Sequence, residues 1–402
     1  MVLKHIFLYI DPGTGSLIIS LLLGFVLTLI YSVKNIYYNL LNFIFGIKTN
    51  FNSDFSGKIV FFSESKSYWR VYNAVVLELI KSNQEFIYLS ADKGDPGLHI
   101  KNKLVKTFYL GNITQSIFIL NKLKASLCVM TTPQIDVIAL KRSIGVKHYC
   151  HIIHSPTDIH GYKKFAFDYF DSVLCSSESQ IKNLRYLEKI RRSRHKKLFR
   201  TGCTYYDVFS IKNKKKGDSI LIAPAWGDRT FFKKYGKIII KNLIESGEKV
   251  IFRPHPQSWI SDREIINDVI NTFSNYSSFS LDQEVGGESA IQKSKLLISD
   301  ISSGMLFDVA LVYKKPIISV KFDLKDGGYE SSSLQNQVSS ISLLKDFGCL
   351  IKVEEIENIS NIVKNIGYNK NSKETINNHI FNFKNSGKIA SDQIISIYKN
   401  LR

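Results

Sequence analysis

Paired cysteines are missing from this sequence of 402 residues. It has five cysteines, an odd number, and no two of them stand in a Cys-x-x-Cys spacing. Disulfide frameworks and thiolate zinc sites need paired and regularly spaced cysteines, so the pattern argues against both. We interpret the five as reduced residues, mostly in apolar runs, of a protein that faces the cytosol: Cys128, Cys150, Cys175, Cys203 and Cys349.

Acidic residues are few relative to basic ones. The chain has 54 Lys and Arg against 35 Asp and Glu, a formal net charge of +19. Such a balance favours anionic partners: nucleic acid, lipid headgroups or phosphorylated substrates. The apolar share of 44% excludes a disordered chain, and the length suits two domains plus an extra segment.

Long apolar runs are also scarce, and one stands out near the N-terminus. Residues 17–33, LIISLLLGFVLTLIYSV, carry no charge, and a membrane-spanning helix needs about 20 residues. No small-residue cleavage site follows, which favours a transmembrane helix over a cleaved signal peptide. Lys34 and Lys48 follow the run while Lys4 precedes it. This weak bias predicts a single-pass membrane protein with its main part in the cytoplasm.

After the N-terminal segment, short β-rich runs alternate with helical patterns, which is typical of parallel sheets with crossover helices. We predict an α/β protein with two Rossmann-like domains in tandem. The predicted divisions are an anchor (1–50), a first Rossmann-like domain (56–210), a second Rossmann-like domain (218–375) and a C-terminal helix (376–402). Strands are predicted at 58–62, 86–91, 127–132, 148–154 and 172–177, and then at 220–226, 249–256, 279–282, 295–300 and 316–322.

Polar clusters follow four of these predicted strands. In open parallel sheets, ligands bind outside the carboxyl ends of the strands, so these clusters are the places to expect function. They are HIIHSPTDIHG (151–161), APAWGDRT (223–230), RPHP (253–256) and ISDISSGMLFDVAL (298–311). The second cluster contributes Trp226 as a candidate substrate-binding residue.

The last cluster runs from a strand directly into a helix. Ser302, Ser303 and Gly304 would occupy the first turn, where free N–H groups and the helix dipole make an anion site. Gly304 would let a phosphate approach the backbone, and Asp300 would cap or orient the turn. Plain helix capping is the alternative for the motif taken alone.

Arg253 and His255 stand between prolines at the end of a predicted strand. Proline biases the residue before it toward an extended backbone, so both side chains would be held in place as the other wall of the anion site. A surface loop is the alternative.

Three histidines lie close together at 151, 154 and 160. Their spacing, without a matching cluster elsewhere, is poor for zinc, and we expect no metal site. A histidine beside a phosphate is better suited to act as a general base. His151 is expected to be a core residue, because strand alternation places it among buried neighbours.

The ordered set of motifs resembles the CDP-glycerol glycerophosphotransferases, the family of teichoic acid primases and polymerases. The resemblance covers about residues 57–370. It rests on HSP followed by YKKFAFDYFDSVLCSSE, on TGCTYYDVF, on ILIAPAWGD, on IFRPHP and on LLISDISSGMLFDVALVYKKPIISV. It implies a GT-B fold of two Rossmann-like domains, with the acceptor bound by the first (56–210) and the nucleotide donor by the second (218–375). It also implies attachment to the cytoplasmic face of the membrane, and no metal or other cofactor.

The resemblance also implies roles for individual residues. The catalytic histidine of the family, in a Trp-His-Gly loop, matches His154, although Ile153 and Ser155 replace its usual neighbours. The second histidine, in an Arg-x-His-Pro motif, matches His255. The family's diphosphate-binding serines match Ser302 and Ser303, with Asp300 before them and Asp308 on the helix. Asp207 keeps the place of an aspartate in a related Gly-Tyr-x-x-x-Asp element.

The implied reaction moves a polyol phosphate, such as glycerol phosphate, from a CDP-activated donor to a hydroxyl of a polymer or lipid-linked acceptor, with release of CMP. One alternative is a GT-B glycosyltransferase that uses a CMP- or UDP-sugar for surface polysaccharide. Another is a membrane-anchored binding protein without catalysis. For the basic run KIRRSRHKKLFR (189–200) we expect anionic lipids or acceptor phosphates, with a solvated helix end as the alternative. We consider nucleic acid unlikely because no series of base-stacking aromatics accompanies the run.

Overall fold

The computed structural model describes residues 51–209, 217–226, 230–284, 286–321, 328–334, 339–367 and 373–401, together with Leu21, Leu23, Gly24, Phe25 and Thr28. The chain divides into two units, Met1–Asn52 and Ser53–Arg402. The predicted membrane segment, 17–33, falls almost entirely outside the described residues and stays a prediction. Among the residues that are described, no helix combines the length and apolarity needed to cross a membrane.

The first half of the larger unit is built on a sheet of seven parallel strands in the order β3-β2-β1-β4-β5-β6-β7. The side chains at the end of β1 are fully buried, as expected where helices cover both faces of a parallel sheet. The strands are β1 (Asp54–Ser63), β2 (Phe86–Ser90), β3 (Val105–Tyr109), β4 (Lys124–Met130), β5 (Val146–Ile152), β6 (Ser172–Cys175) and β7 (Lys197–Arg200); the helices are α1 (Trp69–Lys81), α2 (Ile113–Leu120) and α3 (Glu178–Arg191).

The second half repeats the plan with six parallel strands in the order β10-β9-β8-β11-β12-β13. The strands are β8 (Ser219–Ile222), β9 (Lys249–Phe252), β10 (Phe279–Leu281), β11 (Ser294–Asp300), β12 (Ile317–Val320) and β13 (Gly348–Ile351). The helices are α4 (Phe232–Glu245), α5 (Ser258–Ser261), α6 (Arg263–Phe273), α7 (Glu288–Lys293), α8 (Met305–Phe307), which continues into a π-helical turn (Asp308–Val312), α9 (Ser331–Leu334), α10 (Ser339–Phe347), α11 (Ile359–Asn365), α12 (Lys373–His379) and α13 (Ser386–Lys399).

The predicted α/β class with two parallel sheets is confirmed. Three strands were not predicted: β3 and β7, at the two edges of the first sheet, and β13, at one edge of the second. Edge strands are covered on fewer sides, so they lack the continuous apolar run that marks a central strand.

The C-terminal helix α13 packs on the first half, although it follows the second half in the chain. Its buried residues Ala390, Ile394 and Ile397 join the core that α1 and β1 form. Burial of each large aliphatic side chain of this kind contributes about 2 kcal/mol. At Gly387 the two helices approach so closely that a Cβ would lie 2.5 Å from that of Ala74. The chain therefore returns from the second half to the first, and its last helix stabilises the first half.

Candidate active site

A cavity of about 810 Å³ lies between the carboxyl edges of the two sheets. Both halves contribute to its walls, and the predicted candidates His154, His255, Trp226, Ser302, Ser303 and Gly304 all line it. A Cβ built on Gly304, in the second half, would lie 3.8 Å from the Oγ of Ser155, in the first. The two halves thus face each other at close range across one site.

His154 lies just beyond the end of β5, on the wall from the first half. Its ring centroid lies 5.2 Å from that of Tyr68 and 5.2 Å from that of Tyr162. The hydroxyl of Tyr162 is 3.1 Å from Nδ1 of His154. Burial, and to a smaller extent the charge of Arg70, lower the pKa of His154 to about 4. The imidazole is therefore neutral at physiological pH and able to accept a proton.

His255 stands opposite, after β9 in the second half. The backbone N–H of Gln257 donates to its Nδ1 at 3.1 Å, so the neutral ring carries its proton on Nε2. Partial burial and the nearby Arg253 lower the pKa of His255. The ring stacks on Trp226, with centroids 6.2 Å apart and planes 25° apart. His255 thus offers a neutral Nε2–H donor beside an aromatic surface.

The turn at Ser302–Gly304 precedes a helix that begins at Met305, three residues later than the sequence analysis expected. The N–H of Ser303 donates to the carbonyl of Asp300 at 2.9 Å, and the Oγ of Ser303 accepts from the N–H of Met305 at 3.3 Å. Within the described residues, the N–H groups of Ser302 and Gly304 have no acceptor. The turn therefore combines capping with two unsatisfied donors on the cavity wall, which is suitable for binding an anion.

Asp300 supports this wall from behind. Its carboxylate accepts hydrogen bonds from the N–H of Ala225 (2.6 Å) and of Phe231 (2.8 Å) and from the hydroxyl of Thr230 (3.1 Å). Burial raises the pKa of Asp300 to about 6. Asp300 does not line the cavity; it ties the loop that carries Trp226 to the end of β11, which agrees with the orienting role expected for it.

Arg253 does not line the cavity, contrary to the sequence analysis. Its guanidinium pairs with the carboxylate of Asp282 and donates to the carbonyl of Glu284 at 2.8 Å, and only 11% of the side chain is exposed. Asp282 follows β10, the strand beside β9, so both side chains reach the same edge of the sheet. The guanidinium of Arg253 is thus engaged by partners within the second half, and its role toward a diphosphate stays a prediction.

Asp308, which the resemblance grouped with the diphosphate-binding serines, does not line the cavity. It is buried at the start of the π-helical turn and accepts hydrogen bonds from the hydroxyls of Tyr205 and Tyr206, the latter at 2.9 Å. Burial raises the pKa of its carboxyl group. The guanidinium of Arg70 lies 4.9 Å from the ring centroid of Tyr205. Asp308 thus joins the second half to the segment that connects the halves, and it is not part of the cavity wall.

Asp207 holds the C-terminal helix. Its carboxylate accepts from the N–H groups of Ser386 (3.1 Å) and Gly387 (2.6 Å), the first two residues of α13. These are among the N–H groups that a helix leaves without internal partners. Asp207 therefore caps α13 from a distance and does not reach the cavity.

The other two histidines of the 151–161 cluster are buried. His151 is fully buried between Phe167 and Phe170, which confirms the prediction of a core residue. Nδ1 of His160 lies 2.8 Å from a carboxylate oxygen of Asp158. In the part of the chain that is described, no group of three or more His, Cys, Asp or Glu residues is placed to hold a metal ion.

The basic run 189–200 is less free than expected. Four of its seven basic residues form ion pairs: Arg191 with Asp168 and Glu330, Arg194 with Asp171, Lys196 with Glu188, and Arg200 with Glu178. Its last residues form β7 instead of a solvated helix end. The positive charge of the run is therefore partly neutralised, and its proposed contact with lipids or acceptor phosphates stays a prediction.

Sequence reasoning also missed several cavity residues. Tyr68, Tyr162, Lys163 and Tyr329 line the cavity, and the ammonium of Lys163 lies 4.0 Å from the ring centroid of Tyr329. Tyr68 and Tyr162 follow strands at the carboxyl edge of the first sheet, so the strand-end argument could have found them. Tyr329 belongs to the second half, and nothing local in the sequence places it beside Lys163.

No protein-family model and no curated protein sequence matches the chain. Several solved structures do match the chain. A histidine-to-asparagine variant of the wall teichoic acid polymerase TagF superposes with a TM-score of 0.56 at 16% identity, over 92% of this chain and 96% of that chain. The same variant after a 30 minute soak with CDPG gives a TM-score of 0.53 at 14% identity with the same coverage.

An epimerase gives a similar match. UDP-GlcNAc 2-epimerase from Methanocaldococcus jannaschii, in complex with UDP-GlcNAc and UDP, superposes with a TM-score of 0.53 at 14% identity, over 85% of this chain and 99% of that chain. At these identities the matches establish the fold alone. It is the arrangement of two parallel-sheet α/β domains, consistent with the GT-B architecture.

Proposed function

We propose that the protein is a transferase that moves a polyol phosphate from a CDP-activated donor to a hydroxyl of a surface polymer or lipid-linked acceptor. The observation that carries the proposal is the cavity itself, where His154 of one half faces His255, Trp226 and the Ser302–Gly304 turn of the other. Phosphoryl transfer depends mainly on positioning and charge neutralisation, and this arrangement offers both. The TagF structure soaked with CDPG, which has the same fold, supports the choice of donor.

The donor would bind on the wall from the second half. The free N–H groups of Ser302 and Gly304 and the Nε2–H of His255 are hydrogen-bond donors for the oxygens of a diphosphate. Trp226, whose side chain is 40% exposed, offers a flat aromatic surface beside them. With these groups the proposed reaction uses no cofactor: neutral donors and the backbone stabilise the negative charge.

The acceptor would enter on the wall from the first half. Its hydroxyl oxygen attacks the phosphorus that carries the polyol, and a new P–O bond forms. The P–O bond to the departing CMP breaks, and CMP keeps the electron pair. His154 takes the proton of the hydroxyl on Nε2, since its Nδ1 lies beside Tyr162. His255 hydrogen-bonds the oxygen that leaves with CMP.

The test is to incubate the purified protein and bacterial membrane extract with CDP-polyols, CMP-sugars and UDP-sugars in turn. We expect CMP release and incorporation of the polyol phosphate with one CDP-polyol, and loss of both in His154→Ala and in His255→Ala. His195→Ala is the matched control, because that histidine is 82% exposed and lies outside the cavity. Absence of turnover with every CDP-polyol would refute the donor, and turnover of a sugar nucleotide alone would assign glycosyl transfer instead.

The place of the reaction is part of the proposal. The uncharged run 17–33 supports attachment to a bacterial cell membrane, with the two α/β halves in the cytoplasm where CDP-activated donors are made. Flotation of the full-length chain with lipid vesicles tests the attachment.

A further inference from the structure

The edge of the first sheet opposite the cavity carries two exposed isoleucines in one loop. This loop connects β4 with β5, and within it Ile138 is 57% exposed and Ile144 is completely exposed. Single exposed aliphatic residues are common on protein surfaces, but two of them on one connection with several lysines around them are less so.

The surrounding charges are positive. Lys122, Lys141 and Lys147 are all exposed, and within the described residues none of the three forms an ion pair. Of the acidic residues near this loop, Asp54 pairs with Lys124 and Asp171 pairs with Arg142 and Arg194. Asp136, in the loop itself, accepts a hydrogen bond from the backbone N–H of Arg142 at 2.8 Å. The three lysines outnumber this one carboxylate, so the net charge of the surface is positive.

Hydrogen bonds fix the loop against the turn before β4. The N–H of Lys141 donates to the side-chain oxygen of Asn121 at 2.7 Å, and the Oγ of Ser143 donates to the carbonyl of Leu123 at 2.6 Å. The N–H of Lys124 donates to the carbonyl of Ser53 at 3.0 Å. Ser53 is the first residue of the larger unit, so the larger unit begins at this edge.

We propose that the surface formed by Lys122, Ile138, Lys141, Ile144 and Lys147 docks on an anionic lipid bilayer. Two arguments select this partner over a protein. The exposed isoleucines and the lysines without ion pairs are complementary to acyl chains beneath negative headgroups. The larger unit begins at this edge with Ser53, and the sequence before it contains the 17 uncharged residues of 17–33, which suit the same environment.

The test places a fluorophore on this surface in the full-length chain. Ile144→Trp is reconstituted into vesicles of phosphatidylglycerol and a phosphatidylcholine brominated near the headgroup, and wild-type protein supplies the background of the three native tryptophans. We expect bromine to quench the added tryptophan several-fold more strongly than it quenches Ile260→Trp. Ile260 is the matched control, because it is 79% exposed and lies on α5 at the carboxyl edge of the second sheet.

A second arm tests the charge. Replacement of Lys122, Lys141 and Lys147 by Gln, or replacement of phosphatidylglycerol by phosphatidylcholine, should reduce the quenching at Ile144→Trp severalfold. Equal quenching at the two tryptophan positions would overturn the proposal. Quenching that does not depend on the lysines or on the charge of the lipid would do the same. The proposal would also be overturned if the tryptophan of Ile144→Trp were not quenched and the wild-type protein formed a dimer that Ile144→Glu disrupts. A second copy of the chain would then cover the surface. Ile144 has no buried surface, so urea unfolding curves should show that these variants fold normally.

Discussion

The carboxylate of Glu330, from the second half, is fully buried against the guanidinium of Arg191, at the end of α3 in the first half. Arg191 also pairs with Asp168 at 2.7 Å. Backbone hydrogen bonds flank this contact: the N–H of Glu330 donates to the carbonyl of Tyr162 at 2.8 Å, and that of Lys164 to the carbonyl of Gly328 at 3.1 Å. The halves are thus fastened together beside the cavity by the segment that carries Tyr329.

Removal of one partner of this pair should be costly. Glu330→Gln leaves the buried charge of Arg191 with Asp168 alone, and breaking a buried ion pair costs about 3 to 5 kcal/mol. We expect a loss of this size in the free energy of unfolding by urea, and a larger radius of gyration in X-ray scattering as the halves separate.

Two variants serve as controls for this contact. Asp268→Asn breaks the exposed pair with Lys237, and such pairs contribute about 0 to 1 kcal/mol. The triple variant Asp168→Asn, Arg191→Met and Glu330→Met should recover much of the loss, because it removes all three charges of the cluster. A Glu330→Gln protein as stable and compact as the wild type would contradict the role of the pair in holding the halves together.

The pH dependence of turnover should reflect the lowered pKa of His154. Because burial and Arg70 lower this pKa to about 4, the neutral, proton-accepting form of the free enzyme persists well below pH 6. We expect kcat/KM for the donor that the panel identifies to fall on the acid side only as the pH approaches about 4 to 5. A fall centred near pH 6.5, the value of an unperturbed histidine, would mean that another group or a differently placed His154 accepts the proton.

The cavity could be predicted from the sequence because the carboxyl ends of parallel strands meet at one edge of a sheet, whatever the individual contacts are. His154, His255, Trp226 and the Ser302–Gly304 turn each follow a central strand whose apolar run is plain in the sequence. Contacts between the halves are different: no local pattern connects Glu330 with Arg191, since 139 residues separate them.

Arg253 was assigned to the anion site because it stands before a proline at the end of a predicted strand, and Asp308 because the resemblance implied it. Both have partners from neighbouring elements. For Arg253 the partner could have been found, because Asp282 directly follows the adjacent predicted strand and therefore reaches the same edge. For Asp308 the partners are Tyr205 and Tyr206, and their positions depend on how the connecting segment packs against the second half.

The buried carboxyl group of Asp300 should make stability depend on pH. Its folded pKa of about 6 lies above the value near 4 of an unfolded aspartate, so the folded state binds this proton more tightly. The contribution of Asp300 to stability is therefore fully present below about pH 4 and is lost as the pH rises through about 6. The difference amounts to about 3 kcal/mol.

Asp300→Asn removes this titration. We expect the free energy of unfolding of the wild type, relative to that of the variant, to decrease between pH 4 and pH 7. Asp392→Asn, at an exposed pair with Lys388, should leave the pH profile of the wild type unchanged. Parallel profiles for wild type and Asp300→Asn would show that the carboxylate is better compensated by Ala225, Thr230 and Phe231 than its burial suggests.

Lys163 should act in binding and not in the chemical step. Its ammonium lies on the cavity wall of the first half, held 4.0 Å from the ring centroid of Tyr329, and no ion pair neutralises it in the described part of the chain. An exposed cation over an aromatic ring contributes about 0.5 to 1 kcal/mol, so its removal should hardly change the stability of the fold. The charge instead remains available to an anionic group of a substrate in the cavity.

Lys163→Met keeps the length of the side chain and removes the charge. We expect KM for the anionic substrate to rise about tenfold, which corresponds to about 1.4 kcal/mol, with little change in kcat. Lys164→Met is the matched control, because the neighbouring lysine does not line the cavity. A fall in kcat at unchanged KM would instead place Lys163 in contact with the charge that develops in the transition state. If both variants had the kinetics of the wild type, Lys163 would not belong to the substrate site.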